Sequence, residues 1–226
     1  MRKTIALAVA VVLAGCATSP SPSPSAAAST IVLPVPVREK AIAEEAEAVF
    51  GNRLKALGIG NFTASIGDDM RFTFVMPPSV HPADVDAVLH TAGVVEWLAW
   101  PPGTPFPNVG DPVPDGVLPL FDAASEIRSV TVTSTPMNGR PAGVEVTFGP
   151  AATQALSTYT TMHVNEPMPL ALDGKIVSVP IMMSPITNGD LIITPAGPSS
   201  EPGSLSAAAL GAILKSGPLP SGWSLP

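Results

Sequence analysis

With 28 prolines and 19 glycines in 226 residues, this chain cannot run long in any regular element. Proline removes a backbone donor and is excluded from helix and central-strand interiors, while glycine favours turns, so this composition excludes a helical bundle. Short strands and helices joined by many turns remain. At 46% hydrophobic residues there is enough apolar side chain to bury, and the length allows one large or two small domains. A single cysteine, Cys16, rules out an internal disulfide, so apolar burial alone must hold the fold. The formal charge of −7, with only 13% charged residues and no basic cluster, argues against nucleic acid as a partner.

Cys16 closes a characteristic segment. Arg2 and Lys3 precede an apolar run from Ile5 to Leu13, too short to span a bilayer, and Ala14-Gly15 leads to the cysteine. This is an export signal, and it resembles the lipobox of bacterial lipoproteins. The resemblance implies cleavage after residue 15, lipid attachment at Cys16 and a mature chain on the extracytoplasmic face of the cell membrane. An ordinary secretory signal with an incidental cysteine is the alternative. Residues 16–37 follow as an Ala/Ser/Pro tether whose composition cannot offset its ordering entropy. At roughly 3 Å per residue in an extended polyproline conformation, such a tether reaches up to about 60 Å. No later apolar run approaches the roughly 18 residues of a spanning helix.

The ordered chain reads as α+β. Ile42, Ala46, Val49, Phe50, Leu54 and Leu57 repeat with helical spacing, acids cluster at the start, and Gly58 is a stop signal. Phe62, Ala64 and Ile66, a Gly67-Asp68-Asp69 turn, and Met70, Phe72 and Phe74 predict a hairpin. A helix is predicted from Pro82 to Ala92 and a strand from Val94 to Trp100. Preceded by a strand, this order is a split βαβ arrangement, as in a ferredoxin-like sandwich. The candidate first strand, Ile31 to Val37, carries Pro34 and Pro36 and suits only an edge. Residues 101–117, with six prolines, read as a linker between a 38–100 unit and a 118–220 unit. In the second unit we predict strands from Ile127 to Thr133 and from Val144 to Phe148, then a helix from Pro150 to Met162. A hairpin about Asp173-Gly174, a strand from Leu191 to Thr194, a helix from Leu205 to Lys215 and a short tail at 221–226 follow.

The second unit carries a resemblance. Gly143-Val-Glu-Val-Thr-Phe-Gly, then the amphipathic helix, then Pro169-Leu-Ala-Leu-Asp-Gly-Lys-Ile-Val-Ser-Val-Pro-Ile181, and finally Ser216-Gly-Pro-Leu-Pro220 are similar to the head of the first periplasmic domain of SecD, a subunit of the Sec translocon. Upstream, Arg53 and Leu57-Gly58-Ile59 resemble the helix that opens the base of that domain. The resemblance implies a ferredoxin-like base followed by a mixed α+β head, without the membrane helices that drive SecD. It also implies contact with exported polypeptide or the translocon; where SecD returns through its base after the head, this sequence stops at Pro226, which leaves open whether the base has its closing strand.

Catalytic chemistry finds little support. His81, His90 and His163 lack metal-ligand spacing, and no Gly-x-Ser-x-Gly elbow or phosphate loop occurs, so we expect neither cofactor nor metal. A triad of Ser178, His163 and Asp173 would rest on residue types alone. Asp173 reads as the turn residue of its hairpin and Lys175 as a solvated flank. Met137, Met162, Met168, Met182 and Met183, with Tyr159 nearby, admit two readings: an adaptable apolar binding surface, or filling for an irregular core. The expected function is a non-enzymatic accessory module that contacts exported polypeptide near the translocon. The alternative is an envelope scaffold or ligand-binding lipoprotein that reuses the head fold.

Overall fold

The computed structural model describes residues 28–34, 39–67, 71–77, 82–133, 143–195 and 205–223. Cys16, His81, Met137, the Asp68-Asp69 turn and most of the tether lie outside the described residues. The fold is α+β, built from helices and three small antiparallel sheets.

The first sheet has the order β1-β3-β2, from β1 (Ser29–Pro34), β2 (Thr63–Ile66) and β3 (Arg71–Met76). Helix α1 (Lys40–Ala56) connects β1 to β2, so β3 lies between the strands that α1 joins, which is the split βαβ arrangement. Strand β1 is an edge, where Pro34 loses nothing by lacking an N–H. Alternation turns Phe72, Phe74 and Met76 of β3 inward. They meet Phe50 of α1, whose ring makes edge contacts with Phe72, Phe74 and Trp223 at centroid distances of 5.8–6.0 Å. Helix α1 ends in a Schellman motif: Gly58 takes a left-handed φ of 82°, the Ile59 N–H donates to Leu54 O, and the Gly58 N–H donates to Lys55 O. Helix α2 (Pro82–Leu89) buries Val85, Val88 and Leu89 against the same core.

The strand predicted from Val94 to Trp100 departs from the expected base. It shortens to β4 (Val95–Trp97) and pairs with β7 (Leu170–Leu172) of the second unit, in a sheet of order β4-β7-β8 completed by β8 (Lys175–Ser178). The cause is Trp97. Its ring stacks on Phe121 at 5.6 Å and meets the Phe148 edge at 4.9 Å, so burying the indole requires the strand to join the head.

The third sheet has the order β5-β6-β9, from β5 (Ile127–Thr133), β6 (Gly143–Phe148) and β9 (Asp190–Ile193). A single turn, α3 (Ala123–Glu126), precedes β5 and is capped by the Asp122 carboxylate. Helix α4 (Pro150–Met162) begins with proline in its first turn. Its second N-terminal aid is the Glu126 carboxylate, which accepts the Ala152 N–H. Residues 101–117 contain no helix or strand, as their prolines require, but they are not a free linker. The Val113 N–H donates to Gly174 O, the Ile176 N–H donates to Asp111 O, and Val113 and Val117 cover Leu98, Ala171 and Ile176.

Helix α5 (Ala207–Ser216) joins the units. Capped by Ser206, it buries six consecutive residues, Ala209 to Leu214. Ala209, Ala212 and Ile213 belong to the base core, and Leu210 and Leu214 to the head core. A helix apolar on every side must be covered on every side. Its small residues permit that: a Cβ at Gly211 would lie 2.1 Å from Val132 Cγ2, so the helix approaches β5 more closely than any other residue allows.

A cleft above the joint between base and head

Two chain segments pass between base and head: residues 91–94, leading into β4, and residues 217–219, leaving α5. They run side by side, the Leu219 N–H donating to Ala92 O. Each contains a glycine in the left-handed region, Gly93 at φ 90° and Gly217 at φ 74°.

Two charged side chains hold this joint from opposite sides. Arg53, on α1 and fully buried, donates to the carbonyls of Val88 (2.9 Å), Thr91 (2.5 Å), Ala92 (2.9 Å) and Gly217 (3.1 Å). These carbonyls cluster at the C-terminal ends of α2 and α5, where a cation is favoured by the helix dipoles. Burial pulls the guanidinium pKa down to about 10, opposed by the nearby Asp173 carboxylate, so the group stays charged at neutral pH. From the head, Asp173 accepts the N–H groups of Ala92 (2.8 Å), Gly93 (2.9 Å) and Val94 (2.8 Å). Asp173 is the turn residue the sequence predicts, at φ 51° beside Gly174 at φ 76°, as a type I′ hairpin needs. Its carboxylate does a second job that no turn signal carries. Arg53 did leave a trace in the sequence, because it falls on the apolar stripe between Phe50 and Leu57, where a solvated arginine does not belong.

Over this joint lies a cleft of about 760 Å³, walled by residues 93–96 on one side, by α3 and the start of β5 on another, and by the end of α5. The hydrogen bonds decide what β4 presents to it. The Asp173 N–H donates to Val94 O and the Leu98 N–H to Pro169 O, so Val94, Glu96 and Leu98 turn their backbone groups toward β7. Val95, Trp97 and Ala99 therefore face the other way. Trp97 O accepts the Leu120 N–H and the Ala99 N–H donates to Leu118 O, which leaves the backbone N–H and C=O of Val95 directed to the cleft. Across it stands β5, the edge strand of its sheet. Val94, Phe121, Ile213 and Leu214 supply apolar surface, and Glu96, Asp122, Arg128 and Lys215 supply two charges of each sign.

The methionines divide. Met168 and Met182 are buried in the head core, whereas Met162 and Met183 are 67% and 75% exposed. The Asn165 N–H donates to Met182 O and the Met182 N–H to Glu166 O, which brings the chain after α4 alongside the chain bearing Met183. Val164 and Ile181 are exposed at the same end. Tyr159 is buried, its hydroxyl accepting the Trp100 N–H at 3.0 Å and its ring stacked on His163 at 4.2 Å. Burial pushes the Tyr159 phenol up, the Trp100 backbone bond opposes this and Glu166 adds to it, so the hydroxyl is neutral at physiological pH.

The three residues of the imagined triad each have other partners. The Ser178 hydroxyl donates to Thr194 O, His163 Nδ1 lies 2.6 Å from a Glu166 carboxylate oxygen, and Asp173 is occupied by the joint. Among the described residues no group of three or more His, Cys, Asp or Glu is arranged to hold a metal ion. Among the same residues no helix is long and apolar enough to cross a membrane.

Residues 123–221 match the family model of the SecDF P1 head subdomain. This segment resembles the SecD head. The protein translocase subunit SecD of Rhodobacter capsulatus is 31% identical over 129 residues, covering 54% of this chain and 22% of that protein. SecD of Acetobacter pasteurianus is 27% identical over 125 residues, covering 54% of this chain and 23% of that protein. The chain therefore spans less than a quarter of the length of these relatives. A solved structure of SecDF, described as a membrane component that enhances protein export, superposes with a TM-score of 0.57 at 20% identity, over 85% of this chain and 95% of that one. SecDF in a super-membrane-facing form superposes with a TM-score of 0.63 at 18% identity, over 87% of this chain and 29% of that one. The SecD-like fold thus extends beyond the head to the base, and the cleft lies where the two join.

Proposed function

We propose that this chain is a lipid-anchored, non-enzymatic module on the extracytoplasmic face of the cell membrane that holds extended segments of exported polypeptide near the Sec translocon. The observation that carries this reading is the cleft, where the backbone groups of Val95, without a backbone partner among the described residues, face an edge strand across an apolar floor. Edge pairing recognises backbone, which every polypeptide has, and so suits a binder of varied clients. The resemblance of residues 123–221 to the head of a translocase subunit supplies the biological setting. Cys16 supplies attachment, and its Ser-Pro tether supplies reach.

A photo-crosslinking residue at Val94, which is 47% exposed in the cleft wall, tests the reading against one at Val32, 48% exposed on the base sheet. In cells with a trapped export intermediate, position 94 should capture the intermediate and position 32 should not. Equal capture, or none at 94, would refute it. Anchoring has its own check: Cys16→Ser should move the protein from the membrane fraction to the soluble extracytoplasmic fraction.

A second reading is favoured by the four charged side chains of the cleft. Glu96, Asp122, Arg128 and Lys215 suit a small zwitterionic ligand of an envelope scaffold lipoprotein that reuses the SecD-like fold. In that case the purified protein binds a discrete small molecule and shows no preference for unfolded chains.

A further inference from the structure

We propose that Arg53 and Asp173 are positioning residues that clamp the backbone of residues 91–94 between base and head and thereby fix one wall of the cleft. The segment they grip is the cleft's own wall. Arg53 takes its carbonyls from the base side and Asp173 takes its amides from the head side, so every peptide unit from Thr91 to Val94 is fixed by a charge-assisted bond. The next residue is Val95, whose backbone faces the cleft. Arg53 also binds Gly217 O, and residues 216–218 form the adjoining part of the wall, so one guanidinium ties the two neighbouring segments together. Gly93 is required for this approach, because a Cβ there would fall 2.2 Å from Arg53 Nη2. The Leu-Asp-Gly turn is therefore a latch as well as a turn.

The binding arm of the test rests on the cleft being the polypeptide site; the clamp itself does not. Asp173→Asn in the full chain is the appropriate variant. Asparagine tolerates the left-handed conformation that Asp173 adopts, so the hairpin is kept, while the negative charge is lost and one acceptor oxygen becomes a donor. Hydrogen exchange at Ala92, Gly93 and Val94 should accelerate about tenfold or more, the loss of bonds to a charged acceptor being worth at least that. Exchange at Val144 and Val146, in central strand β6, should stay as in the parent and report an intact fold. Affinity for a permanently unfolded, carboxymethylated polypeptide should fall alongside. Faster exchange confined to 92–94 with unchanged affinity would support the clamp and remove the cleft as the binding site. Unchanged exchange at 92–94, or acceleration shared equally by β6, would overturn the clamp whatever the affinity does.

Discussion

Replacing Arg53 with methionine lowers the free energy of unfolding by about 3–5 kcal/mol, measured by urea denaturation, with an unchanged dependence on denaturant. Methionine fills much of the aliphatic volume but donates nothing. The carbonyls of Val88, Thr91, Ala92 and Gly217 each lose a donor, and among the described residues only Ala92 keeps another, the Leu219 N–H. The loss is severe for Val88 O, because the N–H four residues on, which would satisfy it in a longer helix, donates to Asp173 instead. Removing the guanidinium also relieves its own burial, which keeps the total below the sum of four orphaned acceptors. Arg53→Lys should recover only part of the stability, since an ammonium is a compact charge without the fork that reaches four carbonyls at once. A variant with methionine that unfolds within about 1 kcal/mol of the parent would show that water replaces the arginine at no cost.

Phe50→Ala and Phe148→Ala, one in each core, each destabilise by about 3–5 kcal/mol and shift one and the same thermal transition. Phe50 is fully buried among Phe72, Phe74 and Trp223, and Phe148 meets Trp97 and Phe121. The cavities are as large as a phenyl ring, hence the size of the loss. The single transition follows from α5, which lends Ala212 and Ile213 to one core and Leu210 and Leu214 to the other. Neither core can melt while the helix that completes it stays with its neighbour. Differential scanning calorimetry separates the cases. Two resolved transitions, with each substitution moving only its own, would mean that base and head fold independently.

Much of this architecture is legible in local pattern. The 3.6-residue repeat of Phe50, Leu54 and Leu57 places α1, Gly58 stops it, alternation places β3, β5 and β6, and Asp173-Gly174 makes its hairpin. What escaped is the partner of β4. Periodicity states that a strand exists and which side chains point inward, yet Trp97 can be buried equally well by either unit on that criterion. Phe121 and Phe148, some 25 and 50 residues away in the chain, decide it. The candidate site shows the same division. A methionine in sequence says nothing of its exposure, so Met168 and Met182 could be told from Met162 and Met183 only once the pairing of residues 165–168 with 180–182 was in place.

From sequence alone follow the α+β class, the turn chemistry, and the acidic character of a chain with no internal disulfide. Each depends on residue type or on neighbours within a few positions. The tertiary structure alone decided that β4 belongs to the head, that α5 belongs to both cores, and that Arg53 and Asp173 meet at one stretch of backbone, Arg53 at Thr91 and Ala92 and Asp173 at Ala92, Gly93 and Val94. These are contacts between groups far apart in the chain, made by whichever packing buries the most apolar surface while leaving the fewest polar groups unbonded.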